Sequence, residues 1–343
     1  MKLVIIRIFN NTQDILKKEG GNCKMKNRVT GLLGIKYPII QGGLAYLADA
    51  SLAASVSNAG GLGQITAVTL PTPEDLRAEI KKVRSLTPAP FAVNFAISLH
   101  GDTWENYLNV VVEEKVPVLT ITGGNPKPLL ERIDGLPIKK ISLVSTVRQA
   151  QKAEELGMDA VMAVGQEGGG HIGRDDLGTF VLIPRVVDSV KIPVIASGGI
   201  ADGRGFMAAL ALGAEGIEMG TRFVATKECI LAHENYKKAL VENDELSTVV
   251  IKRTFGQPAR AILNPIMEKV LELEKQGVSF DDIWSMVNGE NNKLAIHKGD
   301  MENGFAWAGQ VMGLIDDIPT VKELILRIIS EAEEISEKWK NIF

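Results

Sequence analysis

From Tyr37 onward, short and nearly unbroken apolar runs alternate with segments whose apolar residues recur every three or four positions. The runs are YPIIQG, GLGQIT, FAVNFAI, VPVLTIT, IKKISLVS, MDAVMAV, IPVIASG and GIEMGTRF, none longer than eight residues. Runs this short and this apolar predict strands buried on both faces of a parallel sheet. The intervening segments predict helices: DASLAASVSNAG, PEDLRAEIKKVRSL, WENYLNVVVEEK, PKPLLERI, TVRQAQKAEELG, FVLIPRVVDSV and GRGFMAALALG. Gly60, Gly157 and Gly213 supply stops at three of their C-termini, and Pro73 opens one as a first-turn proline. Eight strands and seven helices predict an α/β chain folded as a (β/α)8 TIM barrel over residues 25–223. The rival is a doubly wound open sheet, and no GxGxxG follows the first strand to favour it.

After Phe223 the pattern changes. KECILAHENYKKALVEND, NPIMEKVLELEKQG and FDDIWSMVNG carry alternating charges at helical spacing, which predicts a small C-terminal helical addition over 224–305. Residues 306–343 then read as helices returning to the barrel. The last of them, TVKELILRIISEAEEISEKWKNIF, is amphipathic and suits packing on the barrel or a contact in a homodimer. Residues 1–24 break the pattern and read as an N-terminal extension: LVIIRIF is interrupted by Arg7 and is too short to span a bilayer.

Apolar residues make up 45% of the 343 and charged residues 23%, enough to bury a full core in a globular protein. The net charge of −4 removes the electrostatic reason for a nucleic-acid or anionic-membrane partner. Cys23 and Cys229 belong to no CxxC pair. A disulfide scaffold and a cysteine-based metal site are thereby excluded, and a cytoplasmic location is expected.

In a barrel, chemistry sits where strands end and helices begin. Those ends here carry Gln41-Gly42-Gly43, Asn94, Gly123-Gly124-Asn125, the loop GQEGGGHIGRDD, Ser197-Gly198-Gly199 and Gly220-Thr221. The late pair, ASGGIADGRG and EMGTRF, offers backbone amides just before helices, an arrangement suited to the phosphate of a cofactor. Gly168, Gly169 and Gly170 cost backbone entropy, which makes sense where the backbone must approach a ligand. His171 follows them with a ring that ordinarily titrates near neutral pH. Taken alone, this loop also reads as a flexible turn with an incidental histidine. Asp175 and Asp176 are expected to cap the helix at LGTFVLIPRVV. His100, His233 and His297 lie in stretches that assign them no catalytic role.

PIIQGGLAYLADASLAASVSNAGGLG, PFAVNFAI, GQEGGGHIGRDD, IPVIASGGIADGRG and LGAEGIEMGTRFVATKEC together resemble the nitronate monooxygenase (2-nitropropane dioxygenase) family of FMN-dependent barrels. The resemblance runs from about residue 27 to the C-terminus. It implies that Gly43 and Leu44 meet the flavin ring, with Asn94 supplying an amide beside it. It likewise implies that Gly169 and Gly170 approach the cofactor, and that Ser197, Gly198, Gly199, Gly220 and Thr221 form the phosphate cradle. His171 matches the family's active-site histidine. Val164 departs from the pattern, standing where members often carry Gln, Glu or Asp. The resemblance implies an FMN-dependent oxidoreductase that oxidises a nitronate or NAD(P)H and passes electrons to O2 or a quinone. ITGGNP at 121–126 is similar to the flavin-dependent enoyl-acyl-carrier-protein reductase II, which makes an enoyl thioester the alternative substrate. The later motifs look closer to the NAD(P)H:quinone reductases of the family. A barrel that binds FMN without turnover is the contrasting class, and His171 beside the flavin segment favours the enzyme.

Overall fold

Eight of the apolar runs become parallel strands in the computed structural model, which describes residues 16–19, 22–97 and 104–340. Ahead of them β1 (Leu16–Glu19) and β2 (Asn22–Met25) pair antiparallel. The LVIIRIF segment and His100 lie outside the described residues. The barrel strands are β3 (Ile39–Gln41), β4 (Gly63–Thr66), β5 (Phe91–Ala96), β6 (Val118–Thr122), β7 (Lys139–Val144) and β8 (Ala160–Val164). A two-residue strand, β9 (Gly170–His171), leaves the barrel, which resumes with β10 (Val194–Ser197) and β11 (Gly216–Met219). A parallel bridge between Ile40 and Leu62 joins the first strand to the second and closes the ring. The run GIEMGTRF is divided: the strand ends at Met219, and Thr221–Val224 forms a short helix after the turn at Gly220.

The helices start where the sequence offers caps. Asp49 accepts from Leu52 N at 3.0 Å, and Thr72 accepts from Asp75 N ahead of Pro73. Arg28–Leu33 starts with a capping box between Asn27 and Thr30 and ends at Gly34 with φ +68°. This first helix plugs the barrel. Val29 and Leu33 pack with Ile40, Leu62, Ala92, Val118, Ile141, Met162 and Ile195 in the barrel interior. Asn27 and Arg28 anchor it to Glu215, which precedes β11, so the plug sits at the N-terminal end and leaves the opposite mouth open. Fully burying a side chain such as Val29 or Leu33 contributes about 1.5–3 kcal/mol.

The three helical segments expected in the addition appear as Glu234–Glu242, Pro265–Lys275 and Phe280–Val287, and a further helix, Gly289–Lys298, follows them. It also contains a hairpin, β12 (Thr248–Ile251) and β13 (Ala259–Ile262), in a stretch to which the sequence pattern assigns no element. β13 pairs antiparallel with β9, Ala259 opposite His171, and so stitches the addition to the barrel mouth. The C-terminal helix Val321–Lys340 lays Leu324, Ile325, Ile328 and Ala332 against the helices Gly203–Ala211 and Ala50–Asn58. Its apolar face is covered by the barrel, the first of the two arrangements its amphipathic pattern allows. Among the described residues no helix is long and apolar enough to cross a membrane.

Candidate functional site

At the mouth, the ends of β3 to β6 are tied by side chains. A Cβ on Gly43 would lie 2.6 Å from Asn94 Oδ1, so the Gly43 backbone is seated directly on the Asn94 amide. Asn94 is buried and donates from Nδ2 to Thr120 Oγ1 at 2.9 Å. The Thr120 hydroxyl donates to Gln64 Oε1, and Gln64 and Gln41 exchange bonds with each other's backbone carbonyls. Four buried polar side chains on four adjacent strands thus fix the Asn94 amide. Gln64 and Thr120 escaped the sequence reading; their signal is a polar residue inside an otherwise apolar strand.

β10 and β11 end in glycine turns at the mouth, where a phosphate cradle is expected. Gly198 and Gly199 adopt φ of +81° and +76°, a conformation open to glycine. Gly220 opens Thr221–Val224 with no side chain capping its amides. The longer helix Gly203–Ala211 is different. Asp202 accepts from Arg204 N and Gly205 N, and Glu331 accepts from Gly203 N at 2.7 Å. Carboxylates already occupy that N-terminus, so the amides left for an anion are those at Gly198–Gly199 and Gly220–Thr221. Leu44 packs next to Gly220. Beside the cradle stands Glu218, absent from the expected set: Ser197 Oγ donates to its carboxylate, and a Cβ on Gly42 would lie 2.7 Å from its Oε1. Burial pushes its pKa above the ordinary glutamate value, with the Ser197 hydrogen bond opposing.

The loop after β8 carries the glycines for reasons of packing as well as conformation. A Cβ on Gly169 would lie 2.6 Å from the backbone of Ala308 and Gly309. Gly170 has open space around it but holds φ +73°. A Cβ on Gly198 would lie 3.1 Å from Gly168 N, so the loop lies across the cradle. The returning segment is bound there too: Gly309 N donates to Thr221 Oγ1 at 3.0 Å and Gln310 N to the Glu167 carbonyl at 2.9 Å.

The expectation that Asp175 and Asp176 cap the following helix is corrected. That helix is Thr179–Val187, and its cap is Glu167, whose carboxylate accepts from Thr179 N and Thr179 Oγ1, each at 3.0 Å. Asp176 takes φ +50° and pairs instead with Arg253 at 2.5 Å. Glu167 reaches the helix across a loop, which a rule based on sequence adjacency misses.

His171 opens to solvent at the mouth and lies against Lys252 and Trp307. Lys252 Nζ is 3.1 Å from His171 Nε2 and 5.3 Å from the Trp307 ring centroid. The walls around the ring lower the His171 pKa to about 4, through desolvation first and the Lys252 charge second. Burial lowers Lys252 to about 8, with Glu274 opposing. Both effects on the ring favour the neutral imidazole at pH 7, beside a lysine whose own pKa is lowered. His233 caps Asn235 N and His297 contacts the Leu231 carbonyl, both in structural roles.

Among the described residues, two buried oxygens near the strand ends, Thr66 Oγ1 and Gln166 Oε1, have no hydrogen-bond partner. Together with the free amides and left-handed glycines they suit a phosphate-bearing, amide-rich group such as FMN. Among the described residues no group of three His, Cys, Asp or Glu is arranged to hold a metal ion. A separate cavity of about 350 Å³ lies between the C-terminal helix and Asp202. Of its charged lining, Arg204 pairs with Asp202, and Arg222 and Arg327 pair with Asp317 outside it.

Comparison with known proteins places this architecture. The nitronate monooxygenase family model matches residues 26–100 and 96–331. The chain is 34% identical to the probable nitronate monooxygenase of Staphylococcus saprophyticus, over 92% of this chain and 100% of that one. It is similar to the solved structure of FabK from Thermotoga maritima, with 41% identity, a TM-score of 0.86 and coverage of 93% of this chain and 100% of the other. A nitroalkane oxidase from Streptomyces ansochromogenes is 27% identical with a TM-score of 0.78, covering 91% of this chain and all of that one.

Proposed function

Since this chain belongs to the nitronate monooxygenase family and is accordingly an oxidoreductase, we propose that it works with one FMN bound at the barrel mouth. The observation that carries the reading is the cluster itself: Gly43 on a fixed Asn94, unclaimed amides at Gly198–Gly199 and Gly220–Thr221, and His171 on the loop crossing them. In this reading those amides, with Ser197 and Thr221, hold the phosphate. Gly43, Leu44 and Asn94 line the ring, Gly169 and Gly170 let the loop come close, and His171 faces the substrate. The single cradle supports FMN rather than FAD. FMN supplies hydride acceptance and return when bound. The protein's part is to orient and to hold protons in place: Asn94 holds a preset amide, and neutral His171, with Nε2 at Lys252, offers its remaining ring nitrogen to the substrate.

The electron donor in this reading is NAD(P)H, and the acceptor is a small molecule, O2 or a quinone, with a nitronate as the other oxidisable substrate. A second reading, reduction of an enoyl thioester, is favoured by the 41% identity to FabK and by the GNP at 124–126. In this reading the enzyme works in the cytoplasm and can pair as a homodimer. Cofactor extraction with mass measurement tests the first part: recovery of FAD, or of no flavin after refolding with FMN, overturns it. A steady-state panel of nitronate, quinone and enoyl thioester with NADH and NADPH tests the second. The reading predicts bleaching of the yellow protein by one of the two nucleotides.

A further inference from the structure

We infer that Lys252 is a positioning residue for His171, its ammonium holding the imidazole as the neutral tautomer with the proton on Nδ1. Lys252 follows β12 with φ +61°, a region that side-chain-bearing residues rarely adopt. The turn is held by Gln257 N donating to the Lys252 carbonyl at 3.1 Å. This left-handed step turns a lysine inward at the foot of a hairpin that β13 clamps to β9, the strand of His171 itself.

The side chain is then placed unusually. Lys252 is 4% exposed, yet among the described residues no carboxylate oxygen comes within 4.0 Å of its Nζ. Buried lysines ordinarily face an acid. This one faces His171 Nε2 at 3.1 Å, over the ring of Trp307. An ammonium has three donors and no acceptor, so a hydrogen bond to Nε2 requires that nitrogen to be unprotonated. The ring proton is then on Nδ1, and a second proton is opposed by the adjacent positive charge.

The other charged groups nearby are accounted for. Glu274, on the helix Pro265–Lys275, meets Thr254 Oγ1 and the Lys252 backbone. Arg253 pairs with Asp176, Arg260 donates to the Gln166 carbonyl, and Glu167 caps Thr179. Among the described residues, the ring's own neighbours are Lys252 and Trp307. Its relevance to turnover rests on the flavin-oxidoreductase reading above. There His171 acts as a preset N–H donor, and loss of the Lys252 proton on the alkaline side releases it.

The test is a two-bond ¹H–¹⁵N correlation spectrum of the protein as purified, with ¹⁵N-histidine. The chain has four histidines, and His171 is assigned by the signal missing in His171→Asn. At neutral pH the Nε2 of His171 should resonate as unprotonated and Nδ1 as protonated, and this pattern should change as pH rises through about 8. In Lys252→Met the ring should titrate closer to its ordinary value of about 6.5 and shift toward the Nε2–H form. Lys252→Arg, which does not titrate in this range, should keep Nδ1–H through the alkaline window and move the alkaline limb of kcat/KM upward. A protonated Nε2 in wild type at pH 7 overturns the inference, as does an unchanged His171 in a folded Lys252→Met. If Lys252→Met does not fold, the wild-type titration and Lys252→Arg still decide. A panel with no turnover on any acceptor would defeat the functional reading, whereas the spectra judge the pair independently.

Discussion

Replacing Gly169 by alanine should loosen the loop that carries His171, although Gly169 itself is exposed. The new Cβ would lie 2.6 Å from Ala308 C and Gly309 N, both backbone atoms that no rotamer change can remove. Ordinary contact begins near 3.4 Å, so the loop and the returning segment must part by about 0.8 Å. That movement strains two hydrogen bonds, Gln310 N to the Glu167 carbonyl and Gly309 N to Thr221 Oγ1. Each contributes about 0.5–1.5 kcal/mol net, and overpacking of this kind costs about 1–3 kcal/mol. A total of about 2–4 kcal/mol is expected. With about 2.1 cal/mol/K per residue over 343 residues, the melting entropy is about 0.7 kcal/mol/K, so Tm should fall by about 3–6 °C. Gly170→Ala makes no clash and adds only left-handed strain, about 1–2 kcal/mol, or about 1–3 °C. Calorimetry on both variants, with FMN affinity followed by fluorescence, reads the contrast. The packing argument fails if Gly169→Ala melts with the wild type, or if Gly170→Ala is the more damaged of the two.

Other expectations follow from the same site. His171→Ala should lower turnover by about 10² to 10⁴ while FMN stays bound, and His171→Asn, whose amide keeps an N–H donor, should lose less. Stopped-flow should show flavin reduction by NAD(P)H less affected than reoxidation, and unchanged rates in both half-reactions would mean that the ring only lines the pocket. Glu218 has its folded pKa raised, so the stability it permits is full below about pH 4.5 and is lost as pH rises through the folded value. Glu218→Gln should therefore gain on the wild type between acid and neutral pH in urea unfolding, and parallel pH dependences would refute the buried-carboxyl account. Cys229 is fully buried with its thiol pushed up to about 12, so iodoacetamide should label it at mildly alkaline pH only after unfolding. Peptide mapping that finds it modified at equal rates with and without urea would contradict that burial.

The barrel was readable because its signals are local. Eight apolar runs, the glycine stops and caps such as Thr72-Pro73 each sit within a few residues of the structure they specify. Strands buried on both faces need no knowledge of their neighbours to look apolar. The glycine and amide strand ends were readable for the same reason, and the structure gathers Gly43, Asn94, Gly198, Gly199, Gly220 and His171 around one mouth. What sequence could not supply are the groups that act across distance. Lys252 reaches His171 over 81 positions, and Glu331 reaches Gly203 over 128. Glu167 replaces the two aspartates nearer the helix it caps. The hairpin that brings Lys252 inward pairs with a strand of only two residues, too short for any periodicity to announce. Local pattern expresses which face of a segment avoids water. The partner of a buried charge, and with it the protonation of His171, is decided by packing between segments that only the folded chain brings together.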